Sequence, residues 1–340
     1  MNQEIDWSNL GFGYYPTDYN VRCEYKDGKW GPITVTDDVN INIHMAATCL
    51  HYGQEAFEGL KAFRGVDGKI RVFRMEENAK RFIDSAKGIK MEPLPIELFE
   101  EMVMKVIKAN ERFVPPYGTG ASLYIRPLEL GMSPQVGVKP AREYMVIMFC
   151  SPVGPYFKGG IKPGSLCIMR DYDRVAPKGT GRLKIGANYA ASLEAGEIGR
   201  EKGYSAVLYL DPKDKIYLDE CGPSNFFVIK GNKYITPDSD TVLPSITNKS
   251  LQDLARDAGM EVEKRKIKVE ELAEVDEAGA CGTAAVATPI AVIDDIDNNI
   301  SYKISKDGKA GPKVVMLYDS LQDIQYGRKP DTHGWTKIVE

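Results

Sequence analysis

Three stretches of this 340-residue chain combine residue types that could do chemistry. The first, Lys178-Gly-Thr-Gly-Arg-Leu-Lys184-Ile-Gly-Ala-Asn-Tyr189, is glycine-rich and basic but lacks the spacing of a dinucleotide loop. On residue types alone it is a flexible basic loop entering a helix, and nothing local singles out one of its lysines. The second, Leu243-Pro-Ser-Ile-Thr247-Asn-Lys-Ser-Leu, sets hydroxyls just ahead of an amphipathic stretch. Ser245 or Thr247 serves there either as an N-cap or in an anion seat, since the open N–H groups and dipole of a helix start favour a phosphate. The third, Gly279-Ala-Cys-Gly-Thr283-Ala-Ala-Val286, is a run of small residues. It suits either a close-packed turn or a backbone that approaches a ligand.

Other signatures are missing: the chain has no GxSxG elbow, P-loop or HExxH. The six cysteines are scattered without a CxxC pair, which reads as reduced thiols rather than a disulfide framework. His44 and His51 lack the i, i+4 spacing and the companion cysteines of a zinc site, so they read as ordinary, partly buried residues and no metal is expected.

The elements that must position these stretches are legible in part. Apolar spacing predicts helices over Glu76–Lys87 and about Leu98–Ile107, the second opened by Pro93-Leu94-Pro95. Strand-like runs follow at Ser122–Arg126 and Glu143–Cys150, the latter nearly all apolar and therefore central. Ser151 to Gly164 holds three prolines and four glycines in fourteen residues and reads as a linker. Beyond it come a strand at Leu166–Arg170, a helix over about 187–202, and strands at Tyr204–Leu210 and Asn225–Lys230. A helix over Asn248–Ala258, an alternating strand over Glu261–Val269 and a last helix over Lys313–Gln325 complete the pattern. The expected organisation is α+β in two domains, residues 1–153 and 165–340, joined by 154–164.

Bulk properties fit such a chain. Hydrophobic residues are 43% and charged residues 27%, the balance of a globular protein with a sizeable core. The net charge of -4 gives no basic footprint for nucleic acid or an anionic membrane. The longest apolar run, Tyr144–Cys150, is far short of a bilayer span, and the first residues lack the pattern of a secretory signal. A cytoplasmic protein acting on small molecules is expected.

Taken together, the segments resemble the branched-chain-amino-acid aminotransferases, fold type IV pyridoxal-phosphate enzymes. The likeness runs through His51-Tyr-Gly-Gln-Glu-Ala-Phe57-Glu-Gly-Leu-Lys-Ala-Phe63, Leu123-Tyr124-Ile-Arg126-Pro and Ser151-Pro-Val-Gly-Pro-Tyr156-Phe. It continues in Leu183-Lys184-Ile-Gly-Ala-Asn-Tyr189, Asp219-Glu220-Cys-Gly-Pro-Ser-Asn225, Leu243-Pro-Ser-Ile-Thr247, Gly282-Thr283-Ala284 and Ile324-Gln-Tyr-Gly-Arg328. It implies a two-domain fold of the D-amino-acid aminotransferase type, each domain a mixed sheet or barrel with helices, and a homodimer. It also implies amino transfer between leucine, isoleucine or valine and 2-oxoglutarate.

The same resemblance assigns roles. Lys184 corresponds to the lysine that carries the cofactor and then shuttles a proton. Glu220 corresponds to the carboxylate that keeps the pyridine nitrogen protonated, and Tyr189 to the phenol at the ring oxygen. Arg81, Leu243, Ile246, Thr247 and Thr283 correspond to the other cofactor contacts, with Arg81 offering its fork to the phosphate. Phe57, Tyr124, Arg126, Tyr156, Thr283 and Ala284 correspond to the substrate pocket, whose aromatic walls suit apolar side chains. Tyr52 corresponds to a residue near the neighbouring subunit's site. Two departures stand out. A redox CxxC found in some relatives is replaced by Gly282-Thr-Ala-Ala-Val-Ala-Thr-Pro, and Gly222-Pro223 stands where some relatives have Gly-Thr. Proline offers no N–H, so no substrate contact is carried onto position 223. Two other readings keep the fold, a D-amino-acid transaminase or an aminodeoxychorismate lyase, and a third is a scaffold without catalysis.

Overall fold

A computed structural model describes residues 5–155 and 161–340. Two units emerge, Met1–Tyr156 with Leu183–Gly186 and Asp323–Glu340, and Phe157–Arg182 with Ala187–Gln322. Part of the expected 154–164 linker, including Tyr156, lies outside the described residues.

In the first unit the strands are β1 (Asn20–Lys26), β2 (Lys29–Trp30), β3 (Thr34–Thr36), β4 (Glu55–Phe57), β5 (Leu60–Arg64), β6 (Ile70–Phe73), β7 (Ser122–Gly131) and β8 (Tyr144–Val153). The helices are α1 (Thr48–Tyr52), α2 (Met75–Gly88) and α3 (Ile96–Ala109). One sheet runs β6-β5-β7-β8-β1-β2, with β3 on β1, β4 on β7 and a C-terminal strand, Thr336–Ile338, on β6. The β7–β8 pair is antiparallel from Ser122↔Val153 to Gly131↔Tyr144. Alternate residues therefore face opposite sides. Leu123 and Ile125 join Phe82, Phe99, Met102 and Val106 of the two long helices in one core. Leu128 and Leu130, with Met145 and Ile147, form a separate small cluster with Ile41, Cys49 and Met132. Gly88, at the end of α2, leaves room for Leu183, since a Cβ there would lie 2.4 Å from its Cδ1.

In the second unit the strands are β9 (Gly164–Ile168), β10 (Ala206–Leu210), β11 (Leu218–Cys221), β12 (Ser224–Lys230), β13 (Lys233–Thr236), β14 (Glu261–Lys264), β15 (Glu277–Gly282), β16 (Val286–Asp295) and β17 (Ile300–Lys303). The helices are α4 (Gly186–Ala190), α5 (Leu193–Glu201), α6 (Ile246–Asp257) and α7 (Pro312–Gln325). The order is β11-β10-β9-β16-β15-β12-β13-β14, and β11 also pairs with β12, so the strands from β11 round to β12 close on themselves. Leu166, Ile168, Leu208, Leu218, Phe226, Val228 and Ile293 belong to the core of this closed sheet.

Three local expectations are corrected. The single helix over 187–202 is two helices, α4 and α5, broken where the Ser192 hydroxyl donates to the Tyr189 carbonyl (2.8 Å) and competes with the helical ladder. The strand over Glu261–Val269 stops at Lys264, because its partner β13 ends at Thr236 in that register. His44 and His51 are exposed rather than partly buried, the first accepting from the Ala46 N–H (3.1 Å) and the second bonding the Met45 carbonyl (2.8 Å).

Candidate active site

Within the first unit, Lys184 is half-buried and its backbone is held at both polar groups. Its N–H donates to the Ser85 hydroxyl (2.9 Å), and its carbonyl accepts from the Phe57 N–H (3.0 Å). The next turn is held too, since the Gly186 N–H donates to Glu55, and a Cβ on Gly186 would meet that carboxylate at 2.0 Å. The Lys184 amine lies 4.7 Å from the centre of the Phe57 ring, and the Arg126 guanidinium lies 5.0 Å from the same ring. Arg126 also donates to the Tyr124 hydroxyl (3.2 Å), and that hydroxyl lies over Gly59, where a Cβ would come within 1.9 Å. Only glycine at 59 leaves room for it. The buried Nε of Arg126 has no partner among the described residues, which suits a cation that waits for an anionic ligand. Phe12 adds an edge-to-face contact to Tyr124 at 5.2 Å.

Arg81, four residues before Ser85 on α2, shares that helix face. It is locked to a residue that sequence reasoning passed over, Glu58. Arg81 donates through Nε (2.6 Å) and Nη2 (2.9 Å) to the two carboxylate oxygens, with 10% of the arginine side chain and none of the glutamate side chain exposed. Asn78 and the Gly59 N–H also donate to Glu58, at 2.7 and 3.0 Å. Burial pushes the Glu58 carboxyl up, but the charge and hydrogen bonds of Arg81, the charge of Lys184 and Asn78 more than offset it, leaving it below its ordinary value. Glu55 goes the other way: burial raises its carboxyl, and the Gly186 N–H and Arg126 offset only part. Lys61, buried on β5 opposite Tyr124, is pushed down to about 8 by burial. Lys61 and Glu58 lie within the His51–Phe63 motif, yet only their burial marks them.

Within the second unit, Glu220 is buried on β11. It accepts from Arg174 (2.9 Å) and the Leu243 N–H (3.0 Å) on one oxygen, and from Asn225 (3.1 Å) on the other. Arg174, another residue missed from sequence, donates also to the Gly181 and Thr241 carbonyls, so the carboxylate has a fixed, buried counter-charge. The turn after β11 is Gly222-Pro223, with Cys221 opposite Ser224 and Gly222 at φ +52. A two-residue hairpin needs that positive φ, so the departure at 223 sits in a sound turn. Asn225 donates to the Leu243 carbonyl (3.0 Å) and accepts from Asn248 (3.0 Å), which ties Glu220, Leu243 and the start of α6 into one buried network.

The open choice at α6 is resolved in part. Ser245 is the N-cap and accepts from the Asn248 N–H (3.1 Å), so capping does not account for buried Thr247. Thr283 and Ala284 lie in the turn closed by Gly282↔Val286, where Val286 adopts φ +58. A β-branched residue there is strained, a cost that recurs where a backbone is shaped for a ligand. Tyr189 is half-buried in α4. Tyr156 lies outside the described residues, and Tyr52 is 40% exposed with its hydroxyl donating to the Val136 carbonyl. No group of three or more His, Cys, Asp or Glu among the described residues could hold a metal ion.

Each unit by itself carries donors of a kind that suits pyridoxal phosphate. A half-buried lysine amine can attach an aldehyde, a pre-ordered arginine fork and a helix start suit phosphate, and a buried carboxylate suits a protonated ring nitrogen. The family model for class IV amino-transferases matches residues 55–293. The branched-chain-amino-acid aminotransferase of Haemophilus influenzae is 44% identical, over 99% of this chain and 100% of its own length. The solved branched-chain amino acid aminotransferase of Escherichia coli superposes with a TM-score of 0.80 at 26% identity, covering 96% of this chain and 100% of that one. That of Thermobaculum terrenum, described in its PLP form, does so at 0.75 and 26%, covering 95% and 99%. The chain belongs to the class IV aminotransferases, fold type IV enzymes, and within them to the branched-chain-amino-acid aminotransferase family.

Proposed function

We propose that this enzyme, with pyridoxal phosphate as cofactor, transfers amino groups reversibly between branched-chain L-amino acids and 2-oxoglutarate. The observation that carries the reading is the Lys184 amine 4.7 Å from the Phe57 ring centre, in the unit that also buries the Glu58–Arg81 pair, in a chain alike over its whole length to a branched-chain-amino-acid aminotransferase. When bound, the cofactor supplies an electron sink that lets the substrate Cα–H bond break. Lys184 would hold the cofactor through its Nζ, and the same amine, when free, would carry the proton from the substrate Cα. Arg81, Ile246, Thr247 and Thr283 would hold the phosphate, Leu243 and Tyr189 would seat the ring, and Glu220 would keep a proton on the ring nitrogen. Phe57, Tyr124 and Tyr156 bind the substrate's apolar side chain. Arg126 takes a carboxylate, and Thr283 and Ala284 contribute from their turn. Functional domains at 1–153 and 165–340, linked by 154–164, are part of the proposal.

A homodimer is also part of it. Met45, Leu50, Val136 and Val138 expose 83, 57, 87 and 80% of their surface, which is unusual for large apolar residues and suits a subunit interface near Tyr52. The cytoplasm is the proposed location; no helix of the described residues is long and apolar enough to cross a membrane. The substrates are small molecules, with neither nucleic acid nor membrane as a partner. Steady-state kcat/KM across amino donors tests the substrate class. L-leucine, L-isoleucine and L-valine should far exceed D-alanine, with no pyruvate released from aminodeoxychorismate. Preference for D-alanine, or pyruvate release, would replace this reading with one of the two same-fold alternatives. Failure to take up any cofactor would favour the scaffold.

A further inference from the structure

Glu58 is the most enclosed charge in the first unit that has a full set of partners, and the reaction as described gives it no task. Its carboxylate engages the Nε–Nη2 edge of Arg81 in a two-bond fork (2.6 and 2.9 Å), while Asn78 (2.7 Å) and the Gly59 N–H (3.0 Å) fix the carboxylate itself. Asn78 in turn donates to the Gly59 carbonyl (3.2 Å), which ties the group to the chain just ahead of β5. Neither partner has room to wander, since the glutamate side chain is wholly buried and the arginine nearly so. A guanidinium is planar, so engaging one edge sets the direction of the other.

We propose that Glu58 is a positioning residue, which presets the plane of the Arg81 guanidinium so that Arg81 receives the cofactor phosphate without first having to be ordered. The inference rests on the reading that Arg81 binds that phosphate. Its physical basis is preorganisation: freezing a long side chain in advance removes that entropy cost from ligand binding. Two effects of the glutamate oppose each other. Its negative charge weakens the local attraction for a phosphate, whereas its fork fixes the donor that grips it. Desolvated, two-bond contacts are directional and strong, so orientation wins. The charge of Lys184 also helps hold Glu58 ionised, so the same carboxylate answers to the residue that would carry the cofactor.

The sign of the effect makes the test sharp. Full-length protein stripped of cofactor is titrated with pyridoxal phosphate and, separately, with pyridoxal, which lacks the phosphate. Glu58→Gln should weaken pyridoxal phosphate by about 10- to 100-fold, the range a hydrogen bond to a charged group represents, and leave pyridoxal unchanged. In an Arg81→Gln background it should add nothing further. Equal losses for both ligands would mean a structural role, and unchanged or tighter binding of pyridoxal phosphate would mean that charge outweighs orientation; either overturns the proposal. If Arg81→Gln itself keeps the preference for the phosphorylated ligand, the reading of Arg81 fails instead. Should Glu58→Gln yield no folded protein, Asn78→Ala carries the same test. It loosens the carboxylate without stranding a charge, and a phosphate-selective loss supports the proposal where an equal loss overturns it.

Discussion

Glu58 and Glu129 are both sealed inside the first unit, and the structure treats them in opposite ways. Glu58 has an arginine fork, an amide and a backbone N–H, and its carboxyl is held below the ordinary range. Glu129, on β7 between Ala56 and Val146, has no partner on either oxygen among the described residues; burial and the charge of Glu92 raise its carboxyl well above the ordinary range. A buried acid that is matched can serve as a charge, whereas ionisation of an unmatched one works against the fold.

The comparison breaks most visibly if Arg81 is removed. Arg81→Met strands the Glu58 charge and should lower stability by about 3–5 kcal/mol in urea unfolding at neutral pH. The sign with pH follows from the depressed carboxyl. Its stabilising contribution is full above the unfolded value of 4.5 and is lost as pH falls through the folded value, so the variant's deficit should shrink in acid. A deficit that persists unchanged in acid would show that the pair is not the cause.

Glu129 should answer with the opposite sign. Glu129→Leu removes an unpartnered buried carboxyl and should stabilise the protein by about 1–3 kcal/mol. Because the raised carboxyl favours the fold only below 4.5 and loses that advantage as pH climbs through its folded value, the gain should grow with pH. Thermal melts at mildly acidic and mildly alkaline pH check this, and a loss of stability at both would contradict it. Lys61 sharpens the contrast with a buried cation. Between its folded value of about 8 and its unfolded value of 10.5 the unfolded chain binds more protons. Wild type should therefore gain on Lys61→Met with rising pH in that window, by up to ~1.4 kcal/mol per pH unit. Parallel stability curves for the two proteins would show that Lys61 does not titrate there.

Much of the scaffold was legible because long elements repeat their pattern. Helices α2, α3, α6 and α7, the first half of β7 and most of β8 followed from apolar spacing, though the pairing of the two strands did not. Strands β4 to β6 did not, since three to five residues hold too little alternation to read. The break between α4 and α5 has no glycine or proline at Ala191-Ser192 to announce it; one serine hydroxyl made it. The site was legible only through the company of its motifs. Lys184 and Glu220 stood out by their place in a family pattern, whereas Glu58 and Arg174 are marked by partners far away in sequence. Arg81 is 23 residues from Glu58, a separation no local spacing rule spans.

The most direct measurement concerns Lys184. Purified wild-type and Lys184→Ala proteins should be compared for visible absorbance after incubation with pyridoxal phosphate and for amino transfer from L-leucine to 2-oxoglutarate. A visible band and turnover are expected in the wild type and neither in the variant. Full transamination by Lys184→Ala would contradict it.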